Sequence, residues 1–262
     1  MLATPNRGCS VTKVRLPRGF LQSFELVAHP ETGDPWWVPS DLSPARPAAP
    51  TRVTGPMPPS VDTAPVASSD VPPAVIGARG PTAYALASMT LLRLFSGASG
   101  KYRKGYKSFY RSSSSPGSAA VLNNAVWRAD MDAHVLELTR RRVFEDLLHF
   151  SSLCEEGKRQ YLVPFTTCDQ LEGLHQRGCV LLAGSGSANG ENKFERPNSK
   201  TRTGGRSTEI PIYALRDLLG CVYAENLCTK SPVFQTSQSV LLRGQRTVKL
   251  QERLWKLYGY CS

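Results

Sequence analysis

Cationic and aromatic side chains are interleaved between residues 101 and 111: Lys101, Arg103, Lys104, Lys107 and Arg111 with Tyr102, Tyr106, Phe109 and Tyr110. Lysine and arginine neutralise phosphates and release the counterions held by a polyanion, while an aromatic face stacks on an unpaired base for about 1–3 kcal/mol. The pattern therefore points to RNA contact. Five phosphates engaged on duplex-like RNA would make the logarithm of the binding constant fall against the logarithm of salt with a slope of roughly −4 to −5. The bland alternative is a solvated arm whose tyrosines pack on the domain that carries it.

Three further basic groups can extend the footprint. They are Arg140, Arg141 and Arg142; the stretch from Lys193 that contains Lys200, Arg202 and Arg206; and Arg243 to Lys256. Each alone is ordinary: a triple-arginine run on a helix is commonly its wet face, and Glu252 can pair with Lys256 one turn on.

The sequence carries no complete catalytic constellation. Ser96-Gly-Ala-Ser-Gly-Lys101 lacks the first glycine and the closing Ser or Thr of a phosphate loop, since Phe95 and Tyr102 occupy those places. Gly184-Ser-Gly-Ser-Ala-Asn-Gly190 lacks dinucleotide spacing and runs into polar sequence where a helix is required. Cys154 and His149 share one helical stretch, whereas a nucleophile and base are ordinarily brought together from separate elements and oriented by a third group. Asp130/Asp132 and Glu155/Glu156 read as solvated helix-end charges. No catalytic residue, cofactor or small-molecule substrate is expected.

The cysteines (Cys9, Cys154, Cys168, Cys179, Cys221, Cys228 and Cys261) are odd in number, scattered and without a CxxC pair. Neither a disulfide framework nor a zinc ribbon is suggested, no metal site is expected, and a reducing, intracellular compartment fits best. No apolar run approaches the roughly 18 residues of a spanning helix, so no membrane span is expected. Lys and Arg number 32 against 21 Asp and Glu, a formal net charge of +11, which favours anionic partners without specifying a fold. Arg7, Lys13, Arg15 and Arg18 precede the first acid, Glu25, with Ser and Thr between them, as in a mitochondrial presequence. Pro5 and Pro17 argue against one long amphipathic helix there.

These groups need a framework. After a basic targeting-like tail at 1–18, apolar alternation in Phe20–Val27, turn formers at His29–Pro35 and Trp36-Trp37-Val38 predict a β-hairpin within 19–39. Residues 40–79, rich in Pro, Ala and Ser, read as an extended linker. An α+β domain follows at 80–262, with the basic arm 101–111 and a polar loop at 184–206. Gly80-Pro81 opens a helix that ends near Gly97, and Ser112 to Gly117 forms a flexible break. Asn123 or Asn124 caps a long helix through about Cys154, with a buried stripe including Trp127, Met131, Val135 and Leu147. Tyr161–Phe165, Cys179–Ala183, Ile210–Tyr213 and Ser239–Leu242 are strand candidates, and residues 169–176 a short helix. A helical stretch around Ala214–Leu219 and a turn at 225–228 precede a closing helix capped by Thr247, striped by Leu250, Leu254, Leu257 and Tyr258, and stopped by Gly259. The expected fold class is α+β, with helices packed on a small sheet, an N-terminal β-hairpin and a Pro-rich extended linker.

The basic start, hairpin, Pro-rich tether and scattered cations, with the segments Gly19–Gly33 and Arg246–Tyr260, resemble accessory mitochondrial ribosomal proteins of lineages with expanded mitoribosomes. The resemblance implies a mitochondrial matrix location, rRNA and ribosomal proteins as neighbours, and a structural role in translation without catalysis. A free nucleic-acid-binding or ribosome-assembly regulator is the rival reading. It would need a recognisable reading helix, and no helix-turn-helix, RRM or zinc-finger pattern is present. An enzyme using residues 184–205 as a lid is the third.

Overall fold

Leu21–Ala28 alternates weakly because both of its faces are covered: it is the middle strand, β3, of a three-stranded antiparallel sheet in the order β4-β3-β5. The computed structural model describes residues 4–42, 82–97, 99–112, 124–157, 159–165, 177–183, 198–203, 206–235 and 238–262. Among these, six α-helices and three small sheets form an α+β fold.

Two short strands, β1 (Asn6–Gly8) and β2 (Arg15–Pro17), pair as a hairpin that precedes β3. The expected hairpin is present: β3 pairs with β4 (Pro35–Pro39), placing Phe24 opposite Pro39 and Ala28 opposite Pro35. Gly33, at φ +73, closes its turn, where the His29 amide donates to the Asp34 carbonyl at 2.7 Å. The hairpin is not a separate module, because its other edge pairs with β5 (Thr82–Leu86) from beyond the predicted linker.

That pairing corrects the helix expected from Gly80-Pro81. Ala83 and Ala85 are buried while their neighbours are less so, an alternation of period two, and the open edge of β3 gains a hydrogen-bonding partner. Helix α1 (Met89–Ser96) begins only after Ser88, whose hydroxyl accepts from the Leu91 amide.

The long helix α2 (Met131–Glu155) starts later than the asparagine caps suggest. Its N-cap is Asp130, so Trp127 packs from the preceding turn. Met131, Val135, Thr139, Val143, Leu147 and Ser151 form one buried ridge at every fourth position. Twenty-five residues at about 1.5 Å each make a rod of roughly 38 Å, long enough to serve two cores. Met131 and Val135 face the three-stranded sheet and α1, and Val143, Leu147 and Phe150 face the second sheet.

The second sheet runs β6-β10-β7-β9-β8, with β6 at Leu162–Pro164, β7 at Arg177–Leu182, β8 at Asn198–Thr203, β9 at Arg206–Ala214 and β10 at Gln238–Leu242. Only β7 and β9 are parallel. Pro164 sits at the end of an edge strand, where its missing N–H costs no ladder bond. Part of the expected polar loop at 184–206 is instead strand: β8 pairs with β9 from Asn198↔Pro211 to Thr203↔Arg206, because cross-strand pairing satisfies a polar backbone that no hydrophobic period marks. The remainder of that loop, residues 43–79 of the expected linker, the break after Ser112 and the short helix at 169–176 lie outside the described residues, whereas residues 40–42 are described and tied to the sheet, the Ser40 amide donating to the Ser23 carbonyl at 3.1 Å.

Short helices α3 (Leu215–Leu219), α4 (Cys221–Lys230) and α5 (Pro232–Gln235) connect β9 to β10. Helix α6 (Val248–Cys261) buries Leu250, Leu254, Leu257 and Tyr260. It corrects two expectations. Gly259 lies inside the helix, and Tyr258 is exposed while Tyr260 is buried, donating its hydroxyl to the Asp132 carbonyl at 2.9 Å. Thr247 is the N-cap position as expected, yet its hydroxyl donates back to the Leu242 carbonyl at 2.7 Å and accepts from the Gln251 side-chain amide at 3.1 Å rather than from a backbone amide of the first turn.

Candidate nucleic-acid interface

The arm at 101–112 begins where α1 runs out. Gly100 and Lys104 both take positive φ, at +106 and +51, and the Lys104 amide donates to the Phe95 carbonyl at 3.0 Å. The chain then winds into a 3-10 helix over Gly105–Ser112. Gly105 passes so close to the Phe95 ring that a Cβ there would lie 2.6 Å from it.

Within this turn the two halves of the sequence pattern separate. Tyr102, Tyr106 and Phe109 follow a spacing of four and three, which brings them to one side of a helical turn. Phe109, 4% exposed, sits among Phe24, Trp37, Phe95 and Trp127 at ring-centroid distances of 5.2–6.1 Å. Tyr106 stacks on Trp127 at 5.4 Å with the planes only 5° apart, and Tyr102 packs half-buried against the same cluster. The cations go the other way: Lys101, Arg103, Lys104 and Lys107 are exposed, with the Lys101 Nζ 5.4 Å from the centroid of the Tyr102 ring. The face of Tyr106 that meets Trp127 is closed to a base. Tyr110 and Arg111 continue the 3-10 backbone, and their side chains lie outside the description.

The triple-arginine run does not act as one unit. Arg140 is half-buried and donates from Nε to the Leu218 carbonyl at 2.8 Å, tying α2 to the end of α3. Arg141 forms an exposed ion pair with Glu145 one turn on, at 2.9 Å. Arg142 is exposed with no acidic partner among the described residues. Lys200 and Arg202 lie on β8 and Arg206 opens β9, a placement that only the backbone describes.

Acidic residues around the arm are occupied. Asp132 holds Arg93 at 3.0 Å. Asp130 holds Arg128 at 2.5 Å, and this hydrogen bond keeps the Asp130 carboxyl below the usual carboxylate range and raises the Arg128 guanidinium. Between Gly97 and Asp130 the sequence has no acid at all, and among the described residues no acid forms an ion pair with Lys101, Arg103, Lys104 or Lys107.

Residues considered for catalysis have other roles. The Cys154 sulfur accepts from the Tyr161 and Leu162 amides at 3.3 and 3.4 Å, and His149 is exposed with its ring against Phe150. Burial pushes the Cys179 thiol up to about 12. Among the described residues no group of three or more His, Cys, Asp or Glu could hold a metal ion, and no helix is long and apolar enough to cross a membrane.

Sequence reasoning passed over Trp127 as the ring platform and the spacing of Tyr102, Tyr106 and Phe109 as an amphipathic signal. It also passed over the N-terminal tail as a neighbour of the arm: the Ser108 hydroxyl donates to the Ser10 carbonyl at 3.3 Å. No protein-family model, curated protein or solved structure matches the chain.

Proposed function

We propose that the chain is a structural RNA-binding component of the mitochondrial ribosome, docking on rRNA and neighbouring proteins through surface cations and carrying no catalytic site. The observation that carries the RNA half of this reading is the division of the arm: Lys101, Arg103, Lys104 and Lys107 exposed, with Tyr106 and Phe109 anchored in an aromatic core. A turn held by packed rings has its backbone ordered before it meets phosphates, so only the cation side chains are left to order, and phosphate contacts position a protein without reading sequence. The mitochondrial half rests on the resemblance described above.

The test is to tag the C-terminus, lyse purified organelles and sediment the lysate through a density gradient, with and without magnesium chelation. Co-migration with one ribosomal subunit, shifting when magnesium is removed, is expected. Recovery only in light fractions at low salt with magnesium present overturns the ribosomal reading and leaves a free RNA-binding regulator.

A further inference from the structure

We propose that the β1–β2 hairpin and the arm at 101–107 form one composite site for the phosphate backbone of RNA, with Lys13 and Lys104 at its centre. The inference rests on the RNA-binding reading above and adds a second segment and a mode of recognition to it.

The tail that reads as a targeting sequence is built into the fold. Cys9 is 1% exposed, its amide donates to the Val14 carbonyl at 2.8 Å, and its sulfur accepts from the Thr12 amide at 3.3 Å. Ser10 anchors the hairpin to the three-stranded sheet, donating from its amide to the Tyr84 carbonyl at 2.8 Å. The carbonyl of the same residue is the junction: it accepts from the Lys13 ammonium on one side and, on the other, takes the longer branch, at 3.3 Å, of a bond from the Ser108 hydroxyl whose 2.7 Å branch goes to the Gly105 carbonyl. Lys13 and the arm therefore share one acceptor atom, although they are far apart in sequence.

The backbone supplies a second and independent sign. Among the described residues, Lys13 at φ +65 and Lys104 at φ +51 are the non-glycine residues with positive φ. Glycine, asparagine and aspartate take that conformation more readily than a long side chain does. Both positions hold lysine, and both lie on this surface.

Charge completes the case. Lys13 is exposed at the tip of the hairpin, with Arg7 and Arg15 exposed on its two opposite faces, and Lys101, Arg103, Lys104 and Lys107 are exposed on the arm. None of these has an acidic partner among the described residues, whereas neighbouring Arg18 and Arg93 are matched to Asp41 and Asp132. With Phe109 and one face of Tyr106 closed, the site offers cations in quantity and few rings, which suits backbone phosphates better than splayed bases. An anionic membrane is a poorer fit, because Val14 is the large apolar residue exposed on the hairpin and interfacial docking needs a broad apolar face.

The experiment uses the full chain and three probes: an RNA duplex of about 20 base pairs, a U-rich single strand of the same length, and vesicles containing phosphatidylserine. Binding is measured from low to high salt for the parent, for a hairpin variant (Arg7→Gln, Lys13→Gly, Arg15→Gln) and for an arm variant (Lys101→Gln, Arg103→Gln, Lys104→Gly), with a thermal melt for each. The parent is expected to bind the duplex at least as tightly as the single strand. Both variants are expected to melt like the parent, to lose roughly ten- to a hundredfold in affinity near 0.1 M salt, and to flatten the salt slope by about 2–3. A folded hairpin variant that binds the duplex like the parent, while the arm variant is weakened, overturns the composite site and leaves the RNA reading standing. A parent that binds neither RNA, with or without vesicle binding, overturns both.

Discussion

Replacing Phe109 by alanine tests whether the arm is anchored from beneath. The ring is 4% exposed and touches Phe24, Trp37, Phe95 and Trp127, so the substitution removes an almost fully buried aromatic side chain. Transfer of such a side chain is worth about 1.5–3 kcal/mol, and the cavity left behind brings phenylalanine-to-alanine changes in cores to about 3–5 kcal/mol. The arm retains other ties, from the Lys104 amide to Phe95 and from the Ser108 hydroxyl to Gly105 and Ser10, so it can settle partly into the space. That favours the lower end, about 3 kcal/mol. With a urea m-value of roughly 1–3 kcal/mol/M, the unfolding midpoint should fall by about 1–3 M, whereas Lys107→Gln should move stability by less than about 0.5 kcal/mol. Equilibrium urea unfolding followed by tryptophan fluorescence reads both. A loss below about 1 kcal/mol for Phe109→Ala would refute the claim that the rings face the core and would return them to the surface.

Lys104→Gly should leave stability unchanged or raise it by up to about 1 kcal/mol, since it relieves a left-handed backbone, while weakening RNA binding; a clear loss of stability would mean that the lysine is structural. Arg140→Ala should cost about 1.5–3 kcal/mol by freeing the Leu218 carbonyl, and Arg142→Ala should leave stability unchanged; equal losses would restore the triple arginine as one unit. In native labelling with a thiol reagent, exposed Cys221 should react first among the described cysteines, and Cys9 and Cys179 only on unfolding; fast modification of Cys179 contradicts its burial. Burial raises the folded-state value of Cys179 from 9.0 to about 12, so its neutral thiol favours the folded state fully below pH 9, and that contribution is lost as pH rises from about 9 to 12. Urea midpoints should fall over that range, and less so in Cys179→Ala.

What was legible in the sequence was the part written in local periodicity. The β3–β4 hairpin announces itself by two apolar-rich runs on either side of a turn carrying Gly33, and α2 by apolar residues recurring three and four apart. The start of the central domain was not legible, because Thr82–Leu86 carries a helix-compatible composition and becomes a strand only through the open edge of β3, a partner distant in sequence. Strand β8 was missed for a related reason. Asn198–Thr203 is polar and without period, although the Gly204-Gly205 dipeptide before Arg206 is a two-residue hairpin signal.

The candidate site was half legible. Interleaved cations and rings were visible, but interleaving does not say which set faces out; the spacing of Tyr102, Tyr106 and Phe109, together with Trp127, decides that. Nothing local could have joined Lys13 to Ser108, since their shared contact at the Ser10 carbonyl exists only after the hairpin and the arm have both packed beside β5.

The most direct test of the central claim is lysine footprinting. The full chain is acetylated with and without the RNA duplex, and modification is read by mass spectrometry. The account predicts protection of Lys13, Lys101, Lys104 and Lys107, with exposed Lys230 and Lys249 modified equally in both states. Protection confined to Lys230 or Lys249, with the hairpin and arm lysines unchanged, would contradict it.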